Sequence, residues 1–492
     1  MSQYRSILKA TSIFGGTQIL QMMVTIIRSK FVAILIGSTG MGLSSMYMSS
    51  LTMIITIFGL GLGSSVVRDL SRCYGENDMY QFSVIVSVYK RILTFLSIAG
   101  ALFVIAISSL LSEWAFKTKD YTTDYCWLSL IVFFTLLSSG NSALLVSMRR
   151  IKDTAASGII GSIVSLITSI PLFYFYGIDG IVPGLIVSTF ANYIITWLYA
   201  RRITLEKCEI TRQDIHKHGF SLISLGVTMI IASLIGQFTT YLINISISRF
   251  GGLSDIGFFN AAMGITMQVL SMVFAAMAAD YYPRLVASMS DEDKMSETIN
   301  EQSEILLYIA VPILAMFMVI APIVIQFLLS EEFLVITTFI RIVCMGMLLK
   351  TASYALGYAS FAKGDKKIYF FLEGGYSNIT NLLLSVSFYY LWGLTGLAYS
   401  FVVNYILYYV IISYVDCKRY HYKISRDVKL ITLVSFASIG ILLLLNYLVS
   451  GIVYYSIASV LAIMLTVVFL YKLNTKTELL SVLKAKYFTH ER

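Results

Sequence analysis

Charge is scarce in this chain. Asp, Glu, Lys and Arg make up 13% of its 492 residues against 57% hydrophobic residues, and the mean hydropathy is +0.79. Soluble domains carry about 25% charge, so a soluble globular protein is excluded and most of the chain must be solvated by lipid. Cysteine is nearly as thin: Cys73, Cys126, Cys208, Cys344 and Cys417 show no paired spacing, which excludes a disulfide framework. Of four histidines only His216 and His218 stand close together, in a basic loop, too little for a metal site. Long polar stretches are missing as well. The longest connections between apolar runs are Ser112 to Asp124, Ala200 to Gly219 and Pro283 to Glu304, too short for a separate catalytic or ATP-hydrolysing domain. The glycine-rich run Gly59-Leu-Gly-Leu-Gly63 lies inside an apolar stretch and not between a strand and a helix, so it reads as a place of close helix contact or bending, not a nucleotide loop. No catalytic constellation is visible, and neither enzymatic chemistry nor a cofactor is expected.

What the chain does have is apolar length. Runs able to cross a bilayer core of about 30 Å, about 20 residues each, recur fourteen times, from Thr11 to Leu35, Leu43 to Val67 and Val84 to Leu111 through to Val428 to Val449 and Ile452 to Leu470. The fold class is therefore an all-α polytopic membrane protein of fourteen transmembrane helices. Of the 36 Lys and Arg, 29 fall in the tails, in alternate connections or in the span ends beside them, three lie in the opposite loops and four, Arg28, Lys30, Arg341 and Lys350, elsewhere within spans. Positive residues are retained on the cytoplasmic side, which places both termini in the cytoplasm. The net charge of +9 then serves orientation and contact with anionic membrane lipids, and no nucleic acid partner is expected. Met1 to Lys9 leads straight into a long helix with no short apolar core or cleavage site, so no removable leader is expected.

Internal repetition organises these runs. A shift of about 216 residues sets Tyr176-Gly-Ile-Asp-Gly-Ile181 on Trp392-Gly-Leu-Thr-Gly-Leu397, Gly42 on Gly257, Gln21 on Gln237 and Arg28 on Asn244. Two six-helix lobes follow, residues 1–215 and 216–427, with two further helices and a cytoplasmic tail over 428–492. Six crossings per half make the lobes parallel and pseudo-symmetric about the membrane normal, with a central cavity between them. Pro171, Pro183, Pro312 and Pro322 fall inside spans and are expected to kink them.

The first span carries a cation, Arg28, among hydrocarbon. At 100° per residue Thr17, Gln18, Gln21 and Thr25 all lie within about 80° of it, a polar stripe disfavoured against lipid and suited to a cavity. Ser233, Gln237, Thr240 and Asn244 form the matching stripe on the seventh span. Arg341 and Lys350 lie about 180° apart on the tenth span, so with ideal geometry only one of them can face a central cavity. Lys30 points away from the stripe and is read as reaching for the headgroups. Among acids, Glu373 sits in the eleventh span near Ser377, Thr380 and Asn381, placed either to exchange a proton or to pair with a lysine. Asp280 and Arg284 occupy the repeat position of Arg68 and Asp69, and are expected as a buried pair gating the cytoplasmic side.

Lys30-Phe-Val-Ala-Ile-Leu-Ile-Gly37, then Gly40-Met-Gly42-Leu, then Gly59-Leu-Gly-Leu-Gly63-Ser-Ser-Val-Val-Arg68-Asp-Leu-Ser resembles the opening of Wzx-type flippases of the multidrug/oligosaccharidyl-lipid/polysaccharide exporter superfamily. Within it the similarity is nearest to the enterobacterial common antigen branch. The resemblance implies transfer of an undecaprenyl-pyrophosphate-linked oligosaccharide, an O-antigen or related repeat unit, from the cytoplasmic to the periplasmic leaflet of a bacterial inner membrane by alternating access. Its candidate driving forces are a proton or sodium gradient or the membrane potential. Polymerase and chain-length proteins of the same pathway would be partners. Arg28, and more weakly Arg341 and Lys350, would meet the pyrophosphate, because a cation gives phosphate charge-assisted hydrogen bonds. Gln21, Gln237, Thr240 and Asn244 would meet sugar hydroxyls. Glu373, with the Asp280, Arg284, Arg68 and Asp69 charges, would serve coupling or gating. Two other readings remain open: a cation-coupled drug or metabolite antiporter of the same fold, whose relatives place an acid where this chain has Arg28, and a membrane polymerase or ligase, against which the short outer loops argue.

Overall fold

Hydrocarbon offers no partner to a backbone N–H or C=O, so an apolar chain of this kind must bond its backbone internally, and helices do so within one segment. The computed structural model describes residues 3–204, 206, 212–449 and 451–477, and its regular elements are all helical. They are α1 (Gln3–Gly59), α2 (Leu62–Gly75), α3 (Met79–Phe116), α4 (Thr122–Ser147), α5 (Ile151–Tyr176), α6 (Ile181–Ala200) and α7 (Arg212–Phe250). After these come α8 (Leu253–Ser288), α9 (Glu292–Leu328), α10 (Thr337–Ala362), the short α11 (Lys366–Tyr369), a π-helical turn (Phe370–Tyr376), α12 (Ser377–Arg419), α13 (Arg426–Leu448) and α14 (Gly451–Thr477). Ten segments among the described residues are long and apolar enough to cross a bilayer, so the protein is a multi-pass membrane protein. His216, His218 and Cys208, weighed above, lie outside the residues whose side chains are described.

Polar side chains set several boundaries. Asp78 opens α3 by accepting from the Gln81 N–H at 2.9 Å, and Ser425 opens α13 by accepting from Val428 at 3.0 Å. Leu60 and Gly61 have φ of 47° and 62°, and a Cβ on Gly61 would lie 2.3 Å from the Gly226 carbonyl of α7. The glycine-rich run thus provides both the bend and the close contact expected of it. Pro171, Pro312 and Pro322 lie within α5 and α9, and Pro283 within α8. Pro183 is a correction: it stands in the first turn of α6, where its missing N–H has no intrahelical partner to lose, so it starts a helix and does not kink one.

The chain divides into two compact units, Met1–Gly257 with Leu328–Ser330, and Phe258–Phe327 with Glu331–Arg492. This is a division by packing, whereas the lobes expected above are a division by repetition. In the first unit Tyr47, Leu51, Ile54, Phe82, Tyr125 and Val132 are buried in one apolar cluster joining α1, α3 and α4, and α7 packs against α1, α2 and α3. In the second, Tyr281, Leu285, Met295, Leu306, Ala355 and Tyr408 form the core where α8, α9, α10 and α12 meet.

The repeated motif has the same backbone in both places. Gly177 has φ 57° and ψ −126°, and Gly393 has φ 58° and ψ −142°, a region open in practice to glycine alone. Beyond each turn a second glycine closes on an earlier carbonyl: a Cβ on Gly180 would sit 2.2 Å from the Leu172 oxygen, and one on Gly396 2.0 Å from the Phe388 oxygen. Repeat-related residues also touch one another within the first unit. Thr39 and Ser254 share a hydrogen bond of 2.8 Å, and a Cβ on Gly42 or Gly257 would lie 1.7 Å or 2.1 Å from the Leu253 or Ser38 carbonyl. Such a contact is self-complementary, as expected about a local two-fold axis.

Candidate functional site

The second unit holds a cavity of about 380 Å³ between α10, the π-helical turn and α12. Its α10 wall follows one stripe at helical spacing: Lys350, Tyr354, Gly357 and Phe361. The π-helical turn contributes Glu373. Such turns are rare, and their irregular backbone often marks functional positions. Carbonyls freed in the turn are met by Asn378, whose amide donates to the oxygens of Glu373 and Gly374 at 2.8 and 3.0 Å. Gly357 leaves room opposite, since a Cβ there would lie 3.5 Å from the Glu373 carboxylate.

The two charges in the cavity are held differently. Glu373 is half-buried and accepts a hydrogen bond from the Tyr408 hydroxyl. Lys350, midway along α10, makes only soft close contacts among the described residues: its ammonium is 3.4 Å from the Met267 sulfur and 5.7 Å from the centre of the Tyr405 ring, and it senses the Glu373 charge across the cavity. The two line one cavity without forming an ion pair. Tyr354 is fixed by its bond to the Phe274 carbonyl at 3.0 Å and by stacking on the Phe274 ring at 4.4 Å. The result is an aromatic wall with hydroxyls and one under-compensated cation. That combination suits an anionic group carrying hydroxyls, and the volume matches a headgroup rather than a whole lipid-linked glycan.

In the first unit the polar stripe of α1 divides. Thr17 is buried, and Gln21 lies against Gly158 of α5, where a Cβ would come within 2.2 Å of its Nε2. Gln18 and Thr25 are exposed, and Thr25 donates to the Gln21 carbonyl at 2.9 Å. Arg28 is half-buried and has no hydrogen-bond or ion-pair partner among the described residues. Lys30 donates to the carbonyl of Leu329, a residue of the same unit. On α7, Gln237 is half-buried, while Thr240 is exposed and donates to the Gly236 carbonyl at 3.0 Å. Asn244 is only 1% exposed and engaged within the protein, so its amide is not open to a sugar.

Arg341 corrects an expectation. It is 4% exposed and committed to protein groups: its Nε donates to the Met318 carbonyl at 3.1 Å, a terminal nitrogen donates to Asn446, and the guanidinium stacks on Tyr454 at 4.5 Å. It therefore fastens α13 and α14 to α9 and α10 and does not reach a substrate. The buried gate is corrected likewise. Asp280 and Arg284 pair at 2.8 Å within one helix with side chains 71% and 46% exposed, and Arg68 pairs at 2.9 Å with its chain neighbour Asp69. Exposed pairs of this kind contribute about 0–1 kcal/mol.

Sequence reasoning missed the tyrosines, although Lys350, Tyr354 and Tyr358 at four-residue spacing were a readable stripe. It also missed Asp416 on α12, whose two carboxylate oxygens are buried without a hydrogen-bond partner among the described residues.

The family described as polysaccharide biosynthesis protein matches residues 83–338, just over half of the chain. The lipid III flippase of Escherichia coli strain K12 is 20% identical over 421 residues, covering 82% of this chain and 96% of that protein. Among solved structures, the lipid II flippase MurJ in an inward closed conformation aligns with TM-score 0.69 at 15% identity over 95% of this chain and 99% of that one. An inward-facing multidrug resistance MATE family transporter of the MOP superfamily aligns with TM-score 0.66 at 15% identity over 82% and 98%. These likenesses establish a fold shared with that group of transporters.

Proposed function

The chain belongs to the polysaccharide biosynthesis protein family, and from that premise we propose that it is a flippase for an undecaprenyl-pyrophosphate-linked oligosaccharide in a bacterial inner membrane, working by alternating access from the cytoplasmic to the periplasmic leaflet. The observation that carries this reading is Lys350, an ammonium midway along a membrane helix, facing an aromatic cavity where its one acid, Glu373, stands beyond ion-pair distance and is bonded to Tyr408. A cation at mid-membrane costs about 2.5–3.5 kcal/mol, and a diphosphate headgroup would supply the missing counter-charge when bound. Arg28, without a partner among the described residues, fits the same role in the first unit. Tyrosine and serine hydroxyls suit sugars.

Fourteen crossings in two six-helix lobes plus two are the arrangement we assign. Three of the ten apolar segments, of 44, 50 and 54 residues, exceed the roughly 20 residues of a single crossing, each contains a glycine turn, at Gly37, Gly177 or Gly393, and α7, outside those ten, adds the fourteenth crossing. The contact of Gly42 with Gly257 fits a two-fold axis between the halves. The basic loops support a cytoplasmic location for both termini. Glu373, tethered by Tyr408 beside Lys350, is the candidate coupling group for a proton gradient, with sodium or membrane potential as the other drives. That same acid favours the second reading, a cation-coupled antiporter of the same fold.

The test is a deletion strain in which lipid-linked oligosaccharide is followed in both leaflets. Cytoplasmic accumulation relieved by the wild type but not by Arg28→Ala supports flipping and places Arg28 on the path. Normal flipping with loss of polymer points to a polymerase or ligase, and an unaltered glycan moves the antiporter to the front.

A further inference from the structure

A second, smaller cavity of about 190 Å³ lies in the first unit between α3, α4 and α6, near the ends of α4 and α6 that lead into Arg149, Arg150, Arg201 and Arg202. Its polar lining leaves donors unmet. The Tyr89 hydroxyl, on a residue 1% exposed, and the Asn141 Nδ2 are both buried without a hydrogen-bond partner among the described residues. Lys90 adds an ammonium that forms no ion pair among the described residues, and no Asp or Glu lines the space. Two unmet buried donors would each cost about 1–3 kcal/mol if nothing reached them. A water could take one or two such bonds, but an anion takes them and pairs with Lys90 at the cavity mouth as well. One wall is Tyr193 and Trp197, and the Arg201 guanidinium stacks on Trp197 at 5.0 Å. Tryptophan and tyrosine beside basic residues mark the headgroup level of a membrane. Along α3 and α6 the neighbouring surface is apolar and open, with Phe95 70% and Phe190 44% exposed.

We propose that this cavity binds the phosphate of an anionic glycerophospholipid, held by Lys90, Tyr89 and Asn141, with its acyl chains lying along the exposed face of α3 and α6. The cavity is too small for a drug-sized ligand, and a lining that holds an ammonium and unmet donors but no Asp or Glu selects an anion. A zwitterionic headgroup would bring its ammonium toward Lys90 and Arg201, so a net negative lipid is preferred. The site lies apart from the Lys350 cavity, and its occupancy does not depend on what the protein transports.

The experiment measures thermal unfolding of the purified full chain in detergent with added phosphatidylglycerol, phosphatidylcholine or inorganic phosphate. Phosphatidylglycerol should raise Tm in a saturable way and phosphatidylcholine should not. Lys90→Gln and Tyr89→Phe should each weaken the apparent affinity for phosphatidylglycerol about tenfold. Tyr89→Phe loses only a hydroxyl, so without lipid its Tm should equal or exceed that of the wild type, which separates a binding defect from a folding one. Quenching of Trp fluorescence by a bromine-labelled phosphatidylglycerol, abolished in Trp197→Phe, would place the lipid at this wall. Equal responses to both lipids, or unchanged affinity in both variants, would overturn the proposal. A saturable Tm rise with inorganic phosphate alone would overturn the lipid assignment and leave a soluble phosphate site.

Discussion

Replacing Lys350 by methionine keeps the length and flexibility of the side chain and removes its charge. The ammonium forms no ion pair: its contacts are the Met267 sulfur at 3.4 Å and the Tyr405 ring at 5.7 Å, and Glu373 acts on it only across the cavity while bonded to Tyr408. What Lys350→Met loses inside the protein is therefore small, and it gains from no longer holding a cation in hydrocarbon, worth at most about 2.5–3.5 kcal/mol and less here because the cavity is partly open. What it loses toward a diphosphate is one charge-assisted hydrogen bond, about 1.5–3 kcal/mol, or about a ten- to hundredfold weaker affinity at 1.4 kcal/mol per decade. Binding of undecaprenyl pyrophosphate to the purified protein, with thermal unfolding in the same detergent, reads the two effects separately. The expected result is weaker binding with Tm unchanged or raised, and partial recovery in Lys350→Arg. Undiminished binding together with a lowered Tm would refute the reasoning and make Lys350 a structural residue.

Arg341→Met should do the reverse. It abandons Asn446, the Met318 carbonyl and the Tyr454 ring, so folding stability should fall by about 2–4 kcal/mol while affinity for the same lipid stays within twofold. Glu373→Gln keeps an acceptor for Tyr408, so binding should persist. Translocation in proteoliposomes should stop responding to an imposed pH gradient, and an unaltered response removes Glu373 from coupling. Asp365 caps α11 and meets the Arg419 Nε at 2.6 Å, and chiefly that hydrogen bond holds its carboxyl below the ordinary range. A depressed carboxyl stabilises above its unfolded pKa of about 4, and the contribution disappears as pH falls through the lower folded value. The Tm of the wild type should therefore drop more steeply than that of Asp365→Asn below about pH 4, and parallel curves would show the contact to be without effect.

Much of the fold was legible because glycine leaves a readable trace wherever the backbone does what other residues cannot. The Tyr176-Gly and Trp392-Gly motifs were recognisable as copies, and Gly177 and Gly393 share φ of 57° and 58°. The long apolar runs were equally legible, because lipid allows them one economical backbone structure. The π-helical turn at Phe370–Tyr376 was not. Nothing in its composition separates it from an ordinary turn, and its carbonyls are satisfied by an asparagine that a sequence reading places only nearby.

Arg341 and Lys350 show where the reading of side chains runs out. A helical wheel establishes that they point in opposite directions, but it gives no neighbours, and the choice between them was made by α13 and α14. Those helices bring Asn446, Tyr454 and Tyr455 to one face of α10 and satisfy one cation almost completely. On the other face, α12 and the π-helical turn bring tyrosines and an acid already bonded to Tyr408, and the second cation stays under-compensated. An intramembrane cation needs a counter-group from somewhere. Where the protein supplies it, the residue is a fastener. Where the protein withholds it and provides a cavity instead, as at Lys350, the counter-group is what a ligand would have to bring, and burial alone does not tell the two residues apart.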